Sequence, residues 1–264
     1  MKLGFIGCGN MASAMLGGII KNNIVANKDI ISSDLNQVAL EAAKNTFGIN
    51  VTADNKEVVE KSDIIVLSVK PQFYTSVINE IKDIIKDSQI IITIAPGQTL
   101  DGLKKAFGRE LKIVRTMPNT PALVGEGITA MCYNNNVTEE EVKLVVSILS
   151  GFGKAEVVTE NLMDAVVGVS GSSPAYVFMF IEAMADAAVA AGMPRNKAYT
   201  FAAQAVLGSA KMVLETGKHP GELKDMVCSP AGTTIEAVRV LEKEGFRSSV
   251  MEAVKACIDK ARSL

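Results

Sequence analysis

Leu3 to Ile6 is a short apolar run that ends in Gly7-Cys8-Gly9-Asn10-Met11-Ala12, and Ala14, Met15, Ile19 and Ile20 then continue at helical spacing. A strand, a tight turn and a helix in that order commit the N-terminus to a βαβ unit. In such a unit Gly7 makes the turn and Gly9 lets the backbone approach a pyrophosphate, while Ala12 takes the third-glycine place where helix meets sheet. The helix start then offers free amides and a positive dipole end to phosphates.

The same alternation runs through the first half. Strands are expected at Ile30–Ser33, Ile49–Thr52, Asp63–Val69, Gln89–Ile94 and Lys112–Thr116, with helices over Gln37–Asn45, Asn55–Glu60, Gln72–Ile85 and Leu100–Ala106. Ile- and Val-rich strands alternating with helices predict an α/β unit whose parallel sheet is covered on both faces. Strands at Ile128–Tyr133 and Ala155–Val158 follow, separated by a helix that Thr138 and Glu141 open as a capping box. Beyond residue 158 only helical patterns remain: Ser173-Pro174 as N-cap and first helical residue of a helix to Ala191, then Asn196–Leu214, a Gly-Lys-His-Pro-Gly loop, Thr233–Lys243 and Phe246–Arg262. The expected division is a Rossmann-like dinucleotide-binding domain over 1–158 and an all-helical dimerisation and substrate domain over 159–264. Twelve alanines between Pro174 and Val213 give these helices smooth faces, which predicts a second copy completing the core.

Charge narrows the partners. The chain has 27 Lys plus Arg against 29 Asp plus Glu, and neither half carries the basic excess that nucleic acid requires. His219 is the only histidine, so a two-histidine metal site is excluded, and the four cysteines form no C-x-x-C. No metal is expected. Reduced thiols and the lack of an export signal predict a cytoplasmic protein. The longest uncharged stretch, Ala165–Ile181, holds two glycines, three serines and a proline, so no membrane span is expected.

Three further segments carry chemistry. Ser32-Ser33-Asp34-Leu35-Asn36, at the end of the second strand, would sit beside a ribose. Asp34 suits the 2′-hydroxyl of NADH, whereas Ser33 and Asn36 offer donors to the 2′-phosphate of NADPH, and this choice stays open. Ser68-Val69-Lys70-Pro71 closes a strand where open sheets place ligands, and loops at Ala95–Gly97 and Met117–Pro121 would wall a nicotinamide. Ser229-Pro230-Ala231-Gly232-Thr233-Thr234 leads into a helix and forms a carboxylate cradle of backbone amides.

The Gly7-Cys8-Gly9-Asn10-Met11-Ala12 opening and Ser68-Val69-Lys70-Pro71, with Arg115-Thr116-Met117-Pro118-Asn119-Thr120-Pro121, Gly171-Ser172-Ser173-Pro174-Ala175-Tyr176 and the run from His219 to Ile235, make the chain resemble the pyrroline-5-carboxylate reductases over nearly its whole length. The resemblance implies hydride transfer from NADPH or NADH to the ring imine of 1-pyrroline-5-carboxylate, giving L-proline. It places Ile6, Gly7, Cys8, Gly9, Asn10, Met11, Ser33, Asn55, Ser68, Val69, Lys70 and Pro71 at the cofactor. Glu160, Gly232, Thr233 and Thr234 go to the substrate, with Thr234 bonded to the ring nitrogen. It further implies homodimers, which in some members assemble into decamers. Two positions depart from the family's pattern: Ala231, where a second glycine is common, and Met226, where many relatives have asparagine.

Two other readings compete. A β-hydroxyacid dehydrogenase would need a catalytic lysine on a long helix, for which Lys197 and Lys211 are the only candidates. A catalytically silent dinucleotide-binding scaffold would need no substrate chemistry.

Overall fold

In a computed structural model describing residues 1–263, the chain forms two compact units: one from residues 1–172 with the residues from Cys257 onward, the other Ser173–Ala256. The first is built on β1 (Leu3–Ile6), β2 (Ile30–Ser33), β3 (Asn50–Thr52), β4 (Ile64–Leu67), β5 (Ile90–Thr93), β6 (Lys112–Met117), β7 (Gly127–Tyr133) and β8 (Gly153–Val157). They make one sheet in the order β3-β2-β1-β4-β5-β6-β7-β8, parallel except for the antiparallel β6–β7 pair. Between the strands run α1 (Asn10–Lys21), α2 (Gln37–Phe47), α3 (Asn55–Lys61), α4 (Tyr74–Ile81), α5 (Leu100–Phe107) and α6 (Glu139–Leu149), and the one-turn α7 (Met163–Val166) follows β8.

The central strands β1, β2, β4 and β5 are buried on both faces, and the period-two alternation of side chains divides their residues between two cores. Leu3, Phe5, Ile64, Val66, Ile90 and Ile92 pack with Met15, Leu16 and Ile19 of α1. Their neighbours Ile6, Ile65, Leu67 and Ile91 pack on the opposite face with Val58, Ile78 and Leu103. Each such side chain contributes roughly 1.5–3 kcal/mol on burial, which is why apolar runs without polar alternation become central strands. The chain winds from β1 outward to β3 and then returns to β4 on the other side of β1. That reversal opens a crevice at the C-terminal ends of β1 and β4.

The second unit holds α8 (Ser173–Ala190), α9 (Arg195–Thr216), α10 (Pro220–Met226), α11 (Thr233–Lys243) and most of α12 (Phe246–Arg262). Among its described apolar residues only Ala185, Ala198 and Ala202 are buried, while Phe178, Met179, Phe201, Leu214 and Met251 are each between 63% and 70% exposed. Small side chains let α8 and α9 approach closely, but they leave the large ones without a core inside one chain.

Four local expectations meet a different structure. Residues 71–73 form a 3₁₀ turn ahead of α4, which ends at Ile81 and not Ile85. Ser173 is no N-cap, because a π-helical turn, Val167–Gly171, precedes α8 and Ser172 already has helical angles. By length and composition the whole helical run Glu160–Ala190 is apolar enough to cross a membrane. The expected Gly-Lys-His-Pro-Gly loop gives way to α10, with Pro220 at its first position and His219 Nδ1 accepting the Gly221 N–H at 3.0 Å.

Candidate active site

At the end of β1, Gly7 has φ +108°, and a Cβ there would lie 2.8 Å from the Ser68 carbonyl oxygen. Only glycine fits this turn. Gly9 faces open space and serves as N-cap of α1, whose first amides have no side-chain cap. Ser68 fastens the two strand ends: its Oγ donates to the carbonyls of Gly7 (2.8 Å) and Ile6 (3.0 Å). Tyr74, nearly buried, donates to the Leu67 carbonyl at 2.8 Å and pairs with Thr93 Oγ1 at 2.6 Å. Burial outweighs the opposing hydrogen bonds from Thr93 and the Ile94 and Ala95 backbone and pushes its phenol up to about 12, so it stays neutral while fixing β4 against β5.

Two clefts adjoin along this edge. One, of about 550 Å³, is lined by Gly7, Gly9, Asp34, Asn36, Asn55, Lys70 and Glu80, among others. The other, of about 410 Å³, is lined by Asn10, Met11, Pro71, Pro96, Met117, Asn119 and others. Gly9, Ser68, Val69 and Lys70 belong to both, so the clefts form one groove across the glycine turn. Asn119 fixes its far end: its Nδ2 donates to the Ser170 carbonyl in the π turn and its Oδ1 accepts the Ile128 N–H.

At the near end, Asp34 Oδ2 accepts the Cys8 N–H at 2.8 Å and Oδ1 accepts the Asn36 N–H at 2.9 Å. Ser33 is fully buried and donates to Asn55 Oδ1 at 2.7 Å, and Asn55 Nδ2 donates to Glu80 at 2.8 Å. Burial pushes the Cys8 thiol up; its Ser32 hydrogen bond acts against this and the Asp34 charge adds to it. Cys8 is therefore a buried neutral group beneath the turn, and Ile6 is buried beside it.

Glu160 lies elsewhere in this unit. Its Oε1 accepts the Leu100 N–H at 2.8 Å and pairs at 3.0 Å with Arg115, which is buried; Asp164 stands 3.9 Å from the same guanidinium.

In the helical unit, Gly232 is the N-cap of α11, with no side chain capping the first amides. A Cβ on Gly232 would strike Ser229 Oγ at 2.3 Å, and Ala231 is held at φ +54°. Thr233 is exposed and Thr234 half-buried, and neither hydroxyl has a hydrogen-bond partner among the described residues.

Residues 160–264 match the family described as pyrroline-5-carboxylate reductase dimerisation, and residues 2–97 that described as NADP oxidoreductase, coenzyme F420-dependent. The chain is 54% identical over 263 residues to the pyrroline-5-carboxylate reductase of Escherichia coli (strain K12), spanning 100% of this chain and 98% of that one. It is 46% identical to that of Methanosarcina acetivorans, over 100% and 97% of the two chains. The crystal structure of the Plasmodium falciparum pyrroline carboxylate reductase with NADP bound superposes with a TM-score of 0.91 at 37% identity, over 100% and 97% of the two chains. The chain belongs to the pyrroline-5-carboxylate reductase family.

In this reductase the fold gathers Ile6–Met11, Ser33, Asn55 and Ser68–Pro71 around one groove, with Ile6, Cys8 and Ser33 as its buried support. Gly232, Thr233 and Thr234 meet at the start of α11. Met226 is exposed at the end of α10. Lys197 and Lys211 are exposed on α9, and Lys211 is paired with Glu215. Sequence reasoning missed Phe73, Val77 and Glu80 as a cleft wall, although their near-helical spacing behind Pro71 was a usable signal. It also missed Gly171 in the π turn, where a Cβ would lie 2.7 Å from Met117 Cε.

Proposed function

We propose that this chain reduces the C=N bond of 1-pyrroline-5-carboxylate to give L-proline, using NADPH or NADH. The full-length likeness to named reductases carries this reading. The groove fits a dinucleotide on its own evidence: a glycine turn that excludes a side chain, a second glycine facing open space, and uncapped amides at the start of α1. Asn10, Met11, Ser68, Val69, Lys70 and Pro71 would line it, with Asn55 toward the adenosine. When bound, reduced nicotinamide supplies a hydride to the imine carbon.

The residues of the chain then have a positioning task. A cyclic imine is basic enough to arrive protonated, so its carbon is already electrophilic and no imidazole acid is required. The first amides of α11, from Gly232 through Thr234, would hold the substrate carboxylate. Thr234 Oγ would accept from the ring N–H and fix the imine plane, since holding reacting atoms about 3–3.5 Å apart is itself a large rate factor. Glu160, steadied by Arg115, would form part of the substrate pocket.

The division of labour follows residues 1–158 for the dinucleotide and 159–264 for dimerisation and substrate. The match over 160–264 and the uncovered apolar side chains of α8, α9 and α12 favour a homodimer over a membrane span for the Glu160–Ala190 run. Dimers of this kind would be the unit of any decamer. Four free thiols, two of them buried, suit the cytoplasm. The net charge of −2 gives no footprint for nucleic acid. Nicotinamide absorbance followed with purified protein and pyrroline-5-carboxylate, with proline measured as product, tests the reading. Nucleotide binding without oxidation at any pH would leave the silent scaffold in its place.

A further inference from the structure

The adenosine end of the groove is acidic. Asp34 and Glu80 both line it, and Lys70 is the only cation in its lining among the described residues. Lys70 also lines the adjoining cleft, which puts it at the junction of the two, with Gly9, Ser68 and Val69. The donors that a 2′-phosphate would need are already committed. The Ser33 hydroxyl is buried and donates to Asn55, and the Asn55 amide donates to Glu80. Asn36 uses its Oδ1 to cap α2, accepting from Val38 and Ala39, so that only neutral amide N–H groups, and no guanidinium, stand against two carboxylates at this end.

Asp34 itself is fixed by two backbone N–H groups, from Cys8 and Asn36. Each of its oxygens keeps a second lone pair for an incoming hydroxyl. A 2′-phosphate would bring roughly −1.5 to −2 charges to this wall without a guanidinium to receive it, whereas an unmodified ribose brings O–H donors. We infer that Asp34 makes this chain select the dinucleotide with a free 2′-hydroxyl, NADH over NADPH. The inference rests on the proposed function only in taking the groove as the dinucleotide site, and it sets this chain apart from its NADP-bound structural relative.

Calorimetric titration of the full-length protein with NAD⁺ and NADP⁺, beside kcat/KM for NADH and NADPH, tests it. Binding of NAD⁺ is expected to be tighter by about tenfold, about 1.4 kcal/mol, which is the order of screened repulsion between a dianion and one nearby carboxylate. Asp34→Ser keeps an oxygen able to accept the Cys8 N–H and is expected to bring the two affinities together by strengthening NADP⁺. NADP⁺ binding as tightly as NAD⁺ in the unmodified protein overturns the inference and leaves the function standing. Equal weakening of both nucleotides in Asp34→Ser makes the residue a support of the glycine turn alone and overturns it as well. Binding of neither nucleotide removes both readings.

Discussion

Ala231 sits at φ +54°, in the left-handed region, one residue before the N-cap of the helix proposed to hold the substrate. For an L-residue that conformation costs about 1–2 kcal/mol, while glycine loses about 0.4–1 kcal/mol more entropy on folding, so the steric term wins. Ala231→Gly is expected to raise stability by about 0.5–1 kcal/mol, measured as a higher urea midpoint at unchanged slope. His219 and Thr234 separate in the same way on their contacts. His219 is an exposed cap of α10, so His219→Ala should cost about 1 kcal/mol of stability and leave turnover nearly intact. Among the described residues Thr234 caps nothing and has no hydrogen-bond partner, so Thr234→Ala should lower kcat about 10²-fold with little change in melting temperature. Equal kinetic losses in the two variants would remove Thr234 from the role proposed for it.

Among the elements, α6 shows how one segment holds a charge in place. Thr138 Oγ1 accepts the Glu141 N–H while the Glu141 carboxylate accepts the Thr138 N–H, and the same carboxylate meets Lys112 of β6 at 2.5 Å. Partial burial opposes ionisation of Glu141, but the bonds from Lys112 and Thr138 outweigh it and hold the carboxyl below its ordinary value. A carboxyl depressed in the folded state adds stability above its unfolded value, and that stability is lost as pH falls through the folded one. Acid unfolding of Lys112→Met is therefore expected to begin at higher pH than in the unmodified chain, read by circular dichroism along a pH titration. The capping box was legible as Thr138 and Glu141, and the central strands as runs of Ile and Val, because each signal is local. The π turn at Val167–Gly171 was not, since it depends on Asn119 holding the Ser170 carbonyl from 51 residues away. Likewise Asp34 was legible as an acid at a strand end, but not its bond to Cys8, which forms only once β1 and β2 lie side by side.

At the scale of the whole molecule, the two units differ in how they complete a core. The sheet unit buries large apolar side chains on both faces, whereas in Ser173–Ala256 the only buried apolar residues described are three alanines. Covering a large apolar side chain is worth roughly 1.5–3 kcal/mol, and α8 and α9 alone leave Phe178, Met179, Phe201 and Leu214 uncovered. Large exposed apolar faces mark interaction sites, and a self-complementary face on a second copy is the closed way to bury this one. Sedimentation should give twice the 28.0 kDa chain mass or an even multiple of it, with no monomer at micromolar concentration. Phe178→Glu places a charge on α8, and Met251→Glu places one on α12, without touching the groove. If the helical unit is completed by its twin, both variants fall to 28.0 kDa and melt earlier, yet the sheet unit still binds dinucleotide. A variant that keeps the double mass and its melting temperature would place the interface elsewhere on the chain.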